Sequence, residues 1–283
     1  MNRRHTRRAG IAAILAALVA APLAAVFPAL AGERDMLLVL PGFPGTSAQA
    51  QPYIDKMLRH IEGELGWPAG SMEGRYLSDA ADGVAALESD APGLALVDPS
   101  VYAGEHRARG MKVIAKVEVD GRGAQTYSVI VREGGPGAVA ELAGKRISGA
   151  VTHDPRYVAN VILDGKVAPG DLELDVEARP LRSLRAVVRG KADAAIVDQS
   201  VVEHLPELPF AAQAEVLHTA EPVPAPAVVV MGAGAKNAGA IRGALVGLCG
   251  RPDGAELCKT LTLTAIRAAT NKDYKALLAR YDR

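Results

Sequence analysis

Ten polar, charged or aromatic residues, most of them in loops after apolar runs, could contact a small solute. They are Phe43, Thr46, Ser47, Asp98, Tyr102, Thr152, His153, Asp154, Arg182 and Asp198. Hydroxyl, carboxylate, imidazole and guanidinium groups at such positions bind a ligand through hydrogen bonds and charge pairing, without a covalent step. Several of these residue types also cap helices, so structural roles stay open for them.

Asp98 and Asp154 each precede a proline, a pair that is typical of the first turn of a helix. At such a position the carboxylate accepts hydrogen bonds from the free backbone N–H groups. A phosphate or phosphonate dianion would compete with the Asp154 carboxylate for these groups. The loop at residues 152–156 therefore favours a neutral, zwitterionic, partly cationic or apolar ligand over a dianion.

The sequence contains no GxSxG, HExxH or Walker A motif. Its histidines lack the spacing of metal ligands, and the glycine-rich segment at residues 232–237 has Asn237 at the third glycine position of a dinucleotide fingerprint. No nucleophile, base and oxyanion hole come together. We therefore predict a binding protein without enzymatic activity, metal or cofactor.

Short apolar runs alternate with amphipathic segments along the chain. Residues 36–40 (MLLVL) and 94–97 (LALV) predict buried strands, and apolar residues within 47–65 recur at helical spacing. Repeated strand–helix–strand order with nearly continuous apolar strands predicts mainly parallel sheets that are flanked by helices.

The polar stretch at residues 120–123 predicts a crossing point, because the strand–helix pattern restarts after it. We predict an α/β protein of two lobes. Residues 32–121 begin the first lobe, residues 122–200 form the second, and residues 201–283 return to the first and end in a helical tail from residue 238.

The first 31 residues predict a cleavable secretory signal peptide. Residues 1–10 carry four arginines and no acidic residue, residues 11–31 are uncharged, and residues 29–31 (ALA) form a small-x-small cleavage pattern. An uncleaved membrane anchor is the alternative. Cleavage removes four of the 32 Lys and Arg and none of the 32 Asp and Glu, so the mature chain is mildly acidic.

Export to an oxidising compartment predicts a disulfide between Cys249 and Cys258. A reactive or metal-binding thiol pair is the alternative, but the two cysteines lack a CxxC spacing. The balanced charge of the whole chain, with no basic run beyond the N-terminus, argues against a nucleic-acid partner.

Residues 94–102 (LALVDPSVY), 127–147 (YSVIVREGGPGAVAELAGKRI) and 186–197 (AVVRGKADAAIV) resemble segments of one known family. This family comprises the solute-binding proteins of phosphate, phosphite and phosphonate ABC transporters. The end of the chain, at residues 271–274 (NKDY), is similar to the family's closing helix. The resemblance implies the two-lobed type II periplasmic-binding fold with a double-crossover hinge, and Tyr102 matches the family's binding tyrosine.

The sequence departs from the family where the oxyanion is held. The family usually begins the helix after its Gly-Lys-Arg strand with a cluster of Ser and Thr, whereas residues 151–156 here read VTHDPR. The family's histidine before the Ala-Val-x-x-Gly element also has no counterpart, because residues 179–183 read RPLRS. Arg182 could instead form a bidentate pair with a ligand carboxylate.

These observations predict a monomeric periplasmic solute-binding protein that closes on a small ligand between its lobes and delivers it to an ABC permease in the inner membrane. One alternative is a carrier of an apolar ligand, such as a lipid or sterol, which the Pro-Gly-Phe loop at residues 41–43 and the Asp-capped helices suggest. A ligand-sensing subunit for a membrane receptor kinase and a secreted enzyme on the same fold are further alternatives.

Overall fold

The computed structural model describes Gly32, residues 34–43 and residues 45–283. The predicted signal peptide, residues 1–31, lies outside the described residues. The strands in chain order are β1 (Met36–Val39), β2 (Gly74–Leu77), β3 (Leu94–Val97), β4 (Lys112–Val119), β5 (Ala124–Gln125), β6 (Tyr127–Arg132), β7 (Arg146–Gly149), β8 (Glu173–Val176), β9 (Ala194–Asp198), β10 (Ala214–Thr219), β11 (Val223–Pro224), β12 (Ala227–Val230) and β13 (Leu263–Ala268).

Helices connect most of these strands, and short 3-10 turns complete the connections. The α-helices are α1 (Ser47–Leu65), α2 (Ala80–Ser89), α3 (Pro99–Glu105), α4 (Pro155–Tyr157), α5 (Pro180–Val188), α6 (Gln199–His204), α7 (Ala238–Gly247), α8 (Pro252–Thr260) and α9 (Lys275–Tyr281). Helix α4 continues directly as a π-helix over Val158–Ile162. Within the described part of the chain, no helix combines the length and the hydropathy that crossing a bilayer requires.

The first lobe is built on a six-stranded sheet in the order β13-β4-β12-β3-β1-β2. Strands β2, β1 and β3 are parallel, and all residues of β1 and β3 are buried, as their continuous apolar runs predict. Strand β12 pairs antiparallel with both β3 and β4, and β13 pairs antiparallel with β4.

The second lobe is built on a five-stranded sheet in the order β10-β6-β9-β7-β8. Strands β9, β7 and β8 are parallel, whereas β6 pairs antiparallel with both β9 and β10. The predicted α/β architecture with two helix-flanked sheets is confirmed. Both sheets are mixed, because antiparallel strands extend a parallel group of three strands in each.

The two lobes are joined by a short antiparallel ladder of β5 and β11, which we call the hinge. Strand β5 directly follows residues 120–123, the stretch that the sequence analysis predicts as a crossing point. The return at residue 200 is wrong, since β10 pairs with β6 in the second lobe and the chain returns only at β11. The helical tail from residue 238 is also interrupted by β13, whose sequence LTAIRA pairs with β4 at the edge of the first sheet.

One hydrophobic cluster contains buried residues from both lobes. Val39 and Val97 come from the first sheet, Val129 and Ile147 from the second, and Tyr274 from the turn before α9. The lobes therefore pack against each other through apolar side chains. The predicted disulfide between Cys249 and Cys258 is confirmed and ties the end of α7 to α8 in the first lobe.

Candidate ligand-binding site

Three aspartates occupy the N-termini of three helices at the predicted loops. Asp98 caps α3, Asp154 caps α4 and Asp198 caps α6. Each carboxylate accepts a hydrogen bond from the backbone N–H two residues later, at 2.8 Å for Asp98, 2.9 Å for Asp154 and 2.8 Å for Asp198. At each of these helices, one or two of the N–H groups that could hold an anion are thus already bonded to the capping carboxylate.

Asp98 lies between the lobes and is completely buried. Its Oδ1 accepts a hydrogen bond from the Ser100 hydroxyl at 2.6 Å, and its Oδ2 accepts one from the Tyr127 hydroxyl of the second lobe at 3.3 Å. Burial raises the pKa of the Asp98 carboxyl above its ordinary value. The rise is reduced by the hydrogen bonds from Ser100, by the charge of His153 and by the hydrogen bond from Tyr127. Asp98 therefore links the two lobes.

Tyr127 and Tyr157 fill the space beside Asp98. Both side chains are buried, and their rings meet edge to face with centroids 6.3 Å apart. Burial raises the pKa of both tyrosines well above the ordinary value, and the negative charge of Asp98 raises it further. The hydroxyl of Tyr157 has no hydrogen-bond partner among the described residues. This inner interlobe contact is consequently a packed core.

Tyr102 and Thr152 are also fully enclosed by protein. The Tyr102 ring lies 4.9 Å from that of Tyr274, and burial raises the pKa of Tyr102 to about 12. The Thr152 hydroxyl lies 2.7 Å from the carbonyl oxygen of Gly149, to which it donates. Both side chains stabilise the lobes from inside.

The remaining carboxylate oxygen of Asp154 faces the first lobe. Its Oδ2 accepts a hydrogen bond from the hydroxyl of Tyr281, at the end of α9, at 2.9 Å. Neighbouring His153 is half-buried, with its Nδ1 3.3 Å from the carbonyl oxygen of Ala150. Asp154 thus connects the second lobe to the C-terminal helix.

Thr46, Ser47 and Arg182 lie at the surface. The Thr46 side chain caps α1, and the Ser47 hydroxyl donates to the carbonyl oxygen of Tyr76 at 2.7 Å. The exposed Arg182 guanidinium lies 3.8 Å from a carboxylate oxygen of Glu177. The structure therefore gives these three predicted residues other partners than a solute between the lobes.

A cavity of about 480 Å³ lies between the lobes at the hinge, and we call it the hinge-side cavity. Of the predicted residues, Phe43 and Asp198 line it. The full lining comprises Gly42, Phe43, Val117, Val119, Asp120, Arg122, Ala124, Gln125, Thr126, Asp198, Gln199, Ser200, Ala225, Pro226, Thr260, Leu261 and Thr262. It therefore includes both lobes and the hinge.

A much smaller space of about 30 Å³, the inner recess, continues from this cavity towards the predicted loops. It shares Gly42, Phe43, Gln125 and Asp198 with the hinge-side cavity and is also bordered by Tyr127. Gly42 has φ +80°, and a Cβ at that position would lie only 2.7 Å from the Cβ of Ala150. The loop after β1 thus packs directly on the second lobe and leaves room for about one water molecule.

Sequence reasoning missed the residues that the hinge contributes. Gln125 is half-buried, and its Oε1 is enclosed without a hydrogen-bond partner in the described structure. Arg122 donates to the carboxylate of Glu203 at 2.5 Å, which neutralises the positive charge in the lining. The polarity of residues 120–123 indicates only a crossing point, because their proximity to α6 and to Thr262 arises from tertiary structure. Among the described residues, no three His, Cys, Asp or Glu side chains come together as a metal site.

Comparison with known proteins gives a family and a fold. The family model described as "ABC transporter, phosphonate, periplasmic substrate-binding protein" matches residues 43–274. No curated protein shows significant sequence similarity to the chain.

Among solved structures, a Xanthomonas citri protein bound to ATP is similar with a TM-score of 0.68 and 14% identity over 88% of this chain and 98% of its own. A binding-protein component of a Pseudomonas aeruginosa ABC phosphonate transporter has a TM-score of 0.60 and 14% identity, over 88% of each chain. PhnD1 of Prochlorococcus marinus in complex with methylphosphonate has a TM-score of 0.60 and 13% identity, over 87% of this chain and 96% of its own. At such identities, the similarity establishes the type II fold alone.

Proposed function

The chain belongs to the family of phosphonate periplasmic substrate-binding proteins of ABC transporters, and from this premise we propose that its own solute is a neutral, zwitterionic or cationic small molecule and not a phosphonate dianion. Members of this family bind a small ligand and deliver it to an ABC permease. The protein is the substrate-binding component of such a system.

The proposal is carried by the three aspartate caps at Asp98, Asp154 and Asp198. In this fold a ligand meets helix N-termini between the lobes, where free N–H groups and the helix dipole favour an anion. Here each of these three N-termini already holds a carboxylate. A dianion could take its usual place at these N-termini only by displacing the carboxylates, and in the hinge-side cavity it would be repelled by Asp198.

The charges of the hinge-side cavity support the same class of solute. Its lining carries the carboxylates of Asp120 and Asp198 and one cation, Arg122. Because Arg122 is paired with Glu203, no unpaired cation of the lining is left to attract a dianion. The lining residues therefore carry a net negative formal charge, which favours cations or neutral solutes.

Closure of the lobes around the solute is the mechanism that we propose. A solute in the hinge-side cavity touches Phe43 of the first lobe and Asp198 of the second, so contacts with both lobes stabilise the closed form that a permease recognises. The protein acts as a monomer and binds without covalent chemistry. We place it in the periplasm with residues 1–31 as its cleaved signal peptide, which the family and the disulfide support.

The test is the melting temperature of the protein, purified from the periplasm of an expression host, with spermidine, choline, L-glutamine, phosphite and methylphosphonate. A bound solute at about 100 times its Kd adds roughly 2.7 kcal/mol to the free energy of unfolding. We expect stabilisation by at least one of the first three compounds. Stabilisation by methylphosphonate or phosphite alone would contradict the proposed solute class.

An apolar solute is the second candidate, because much of the cavity lining is apolar. Phe43, Val117, Val119, Pro226 and Leu261 all contribute to it. A carrier of this kind would retain a hydrophobic molecule through purification. Organic extraction of the purified protein followed by mass spectrometry detects such a molecule, and an extract free of it would remove this candidate.

A further inference from the structure

The predicted loops meet between the lobes, but their side chains leave no room for a solute there. Tyr127 reaches across to Asp98, and Gly42 packs on Ala150. The remaining inner recess of about 30 Å³ holds about one water molecule. A solute of several heavy atoms fits there only if the buried tyrosines move out of a packed core.

The hinge-side cavity, in contrast, has the size of a ligand site. Its volume of about 480 Å³ falls within the range of roughly 300–1,000 Å³ that is usual for small-molecule pockets. Both lobes and the hinge contribute to its wall. A molecule in this cavity would therefore contact the segments that must move relative to one another.

Gln125 supplies an unused hydrogen-bond acceptor at the junction of the two spaces. Its side chain lines both the cavity and the inner recess, and its enclosed Oε1 has no partner among the described residues. An enclosed acceptor without a donor is unfavourable. A donor group of a solute that reaches the Gln125 amide from the cavity would satisfy this acceptor.

The rim of the cavity is held in an unusual backbone conformation. Asp120 and Thr262 have φ of +49° and +53°, a region that residues other than glycine rarely adopt, especially β-branched ones. The backbone N–H of Asp120 donates to the carbonyl oxygen of Thr262 at 3.0 Å, which joins the hinge to the segment before β13. This backbone contact keeps Asp120 and Thr262, both of which line the cavity, together at its rim.

We infer that the solute binds in the hinge-side cavity, with a hydroxyl, amide or ammonium donor on Gln125 and its apolar part against Val119 and Leu261. The inner recess, which Tyr127 borders, is too small for the solute. This inference rests on the proposed function, since it assumes a solute with hydrogen-bond donors. The hinge and the residues around it then recognise the solute, whereas the loops after β3 and β7 hold the lobes together.

The experiment measures the Kd of spermidine, choline, L-glutamine and methylphosphonate by calorimetry for four proteins. They are the wild type, Gln125→Leu, Gln125→Glu and Gln213→Leu. Gln125→Leu keeps the size of the side chain but removes the acceptor, so the Kd of the bound compound should rise roughly tenfold. Gln125→Glu keeps an acceptor and should bind a cationic compound at least as tightly as the wild type.

Gln213→Leu is the matched control, because Gln213 is exposed on the second lobe outside the cavity lining. It should leave every Kd unchanged. A compound that binds the wild type and Gln125→Leu equally well would overturn the inference while the proposed function stands. If methylphosphonate alone binds, the proposed solute class fails instead, and if none of the four compounds binds, both fail.

Discussion

The inner interlobe contact and the hinge-side cavity are neighbouring parts of one cleft with opposite character. Asp98, Tyr127 and Tyr157 are buried in the inner contact, which leaves about 30 Å³. Phe43 and Asp198, at the hinge side, remain half-buried around a cavity of about 480 Å³. The difference shows that loops which converge in a fold can either form a binding site or close it, depending on the size of their side chains.

Aspartate occurs in both parts of the cleft, where it joins the lobes at the inner contact and lines the hinge-side cavity. Asp98 and Asp198 cap their helices through bonds of the same length from the N–H two residues later. Asp98 then uses its second oxygen for a bond to the other lobe, whereas no protein group donates to the Oδ2 of Asp198 in the described structure. The surroundings, and not the cap, decide which carboxylate can meet a solute.

The largest expected effect comes from emptying the inner contact. Tyr157→Ala should lower the free energy of unfolding by about 3–5 kcal/mol, as for other large aromatic side chains in cores. Tyr157→Phe is the matched control and should cost little or nothing, because the hydroxyl it removes has no hydrogen-bond partner. Urea denaturation measures both. An Ala variant as stable as the Phe variant would show that the inner contact is not packed like a core.

A smaller effect is expected from the disulfide, which lies outside the cleft. Changing Cys249 and Cys258 together to alanine should lower the free energy of unfolding by about 2–3 kcal/mol, because a closed loop no longer restricts the unfolded chain. Wild type in reductant should lose a similar amount. The Kd of a bound compound should stay unchanged. A higher Kd would mean that the segment held by the disulfide affects the cavity.

The smallest effect concerns the charge buried in the inner contact. Burial raises the pKa of Asp98, so the folded protein holds this proton more tightly than the unfolded chain, whose carboxyl titrates near 3.9. The protonated Asp98 carboxyl therefore stabilises the folded state at low pH, and this stabilisation is lost as pH rises from about 4 through the raised pKa. Asp98→Asn keeps the helix cap and removes this titration, so the variant should gain stability relative to wild type over that pH range.

Asp273 provides the control of opposite sign. Hydrogen bonds from the backbone N–H and the hydroxyl of Thr270 lower the pKa of Asp273. The ionised Asp273 carboxylate therefore stabilises the folded state above its ordinary pKa, and this stabilisation is lost as pH falls through the lowered pKa. Asp273→Asn should therefore lose stability relative to wild type as pH rises. Denaturation curves measured between pH 3 and pH 7 compare the two variants, and equal slopes for both would contradict the buried position of Asp98.

Local patterns in the sequence predicted individual elements well. The strand Leu94–Val97, the helix Ser47–Leu65 and the aspartate cap of α3 follow from apolar runs, helical spacing and an Asp-Pro pair. Edge strands were harder to predict, since β10 contains only half-buried and exposed residues and carries little hydrophobic signal. The return crossing was misplaced for this reason.

The sequence alone predicted the α/β class, the disulfide partners and the aspartate caps of α3 and α4, because each depends on residues close in the chain or on the compartment. Only the tertiary structure decided which part of the cleft stays open. Tyr127 reaches Asp98, and Gln125 joins Thr262 at the cavity wall, through contacts between residues far apart in the chain. Such packing depends on the volumes of side chains from both lobes at once, which no local pattern encodes.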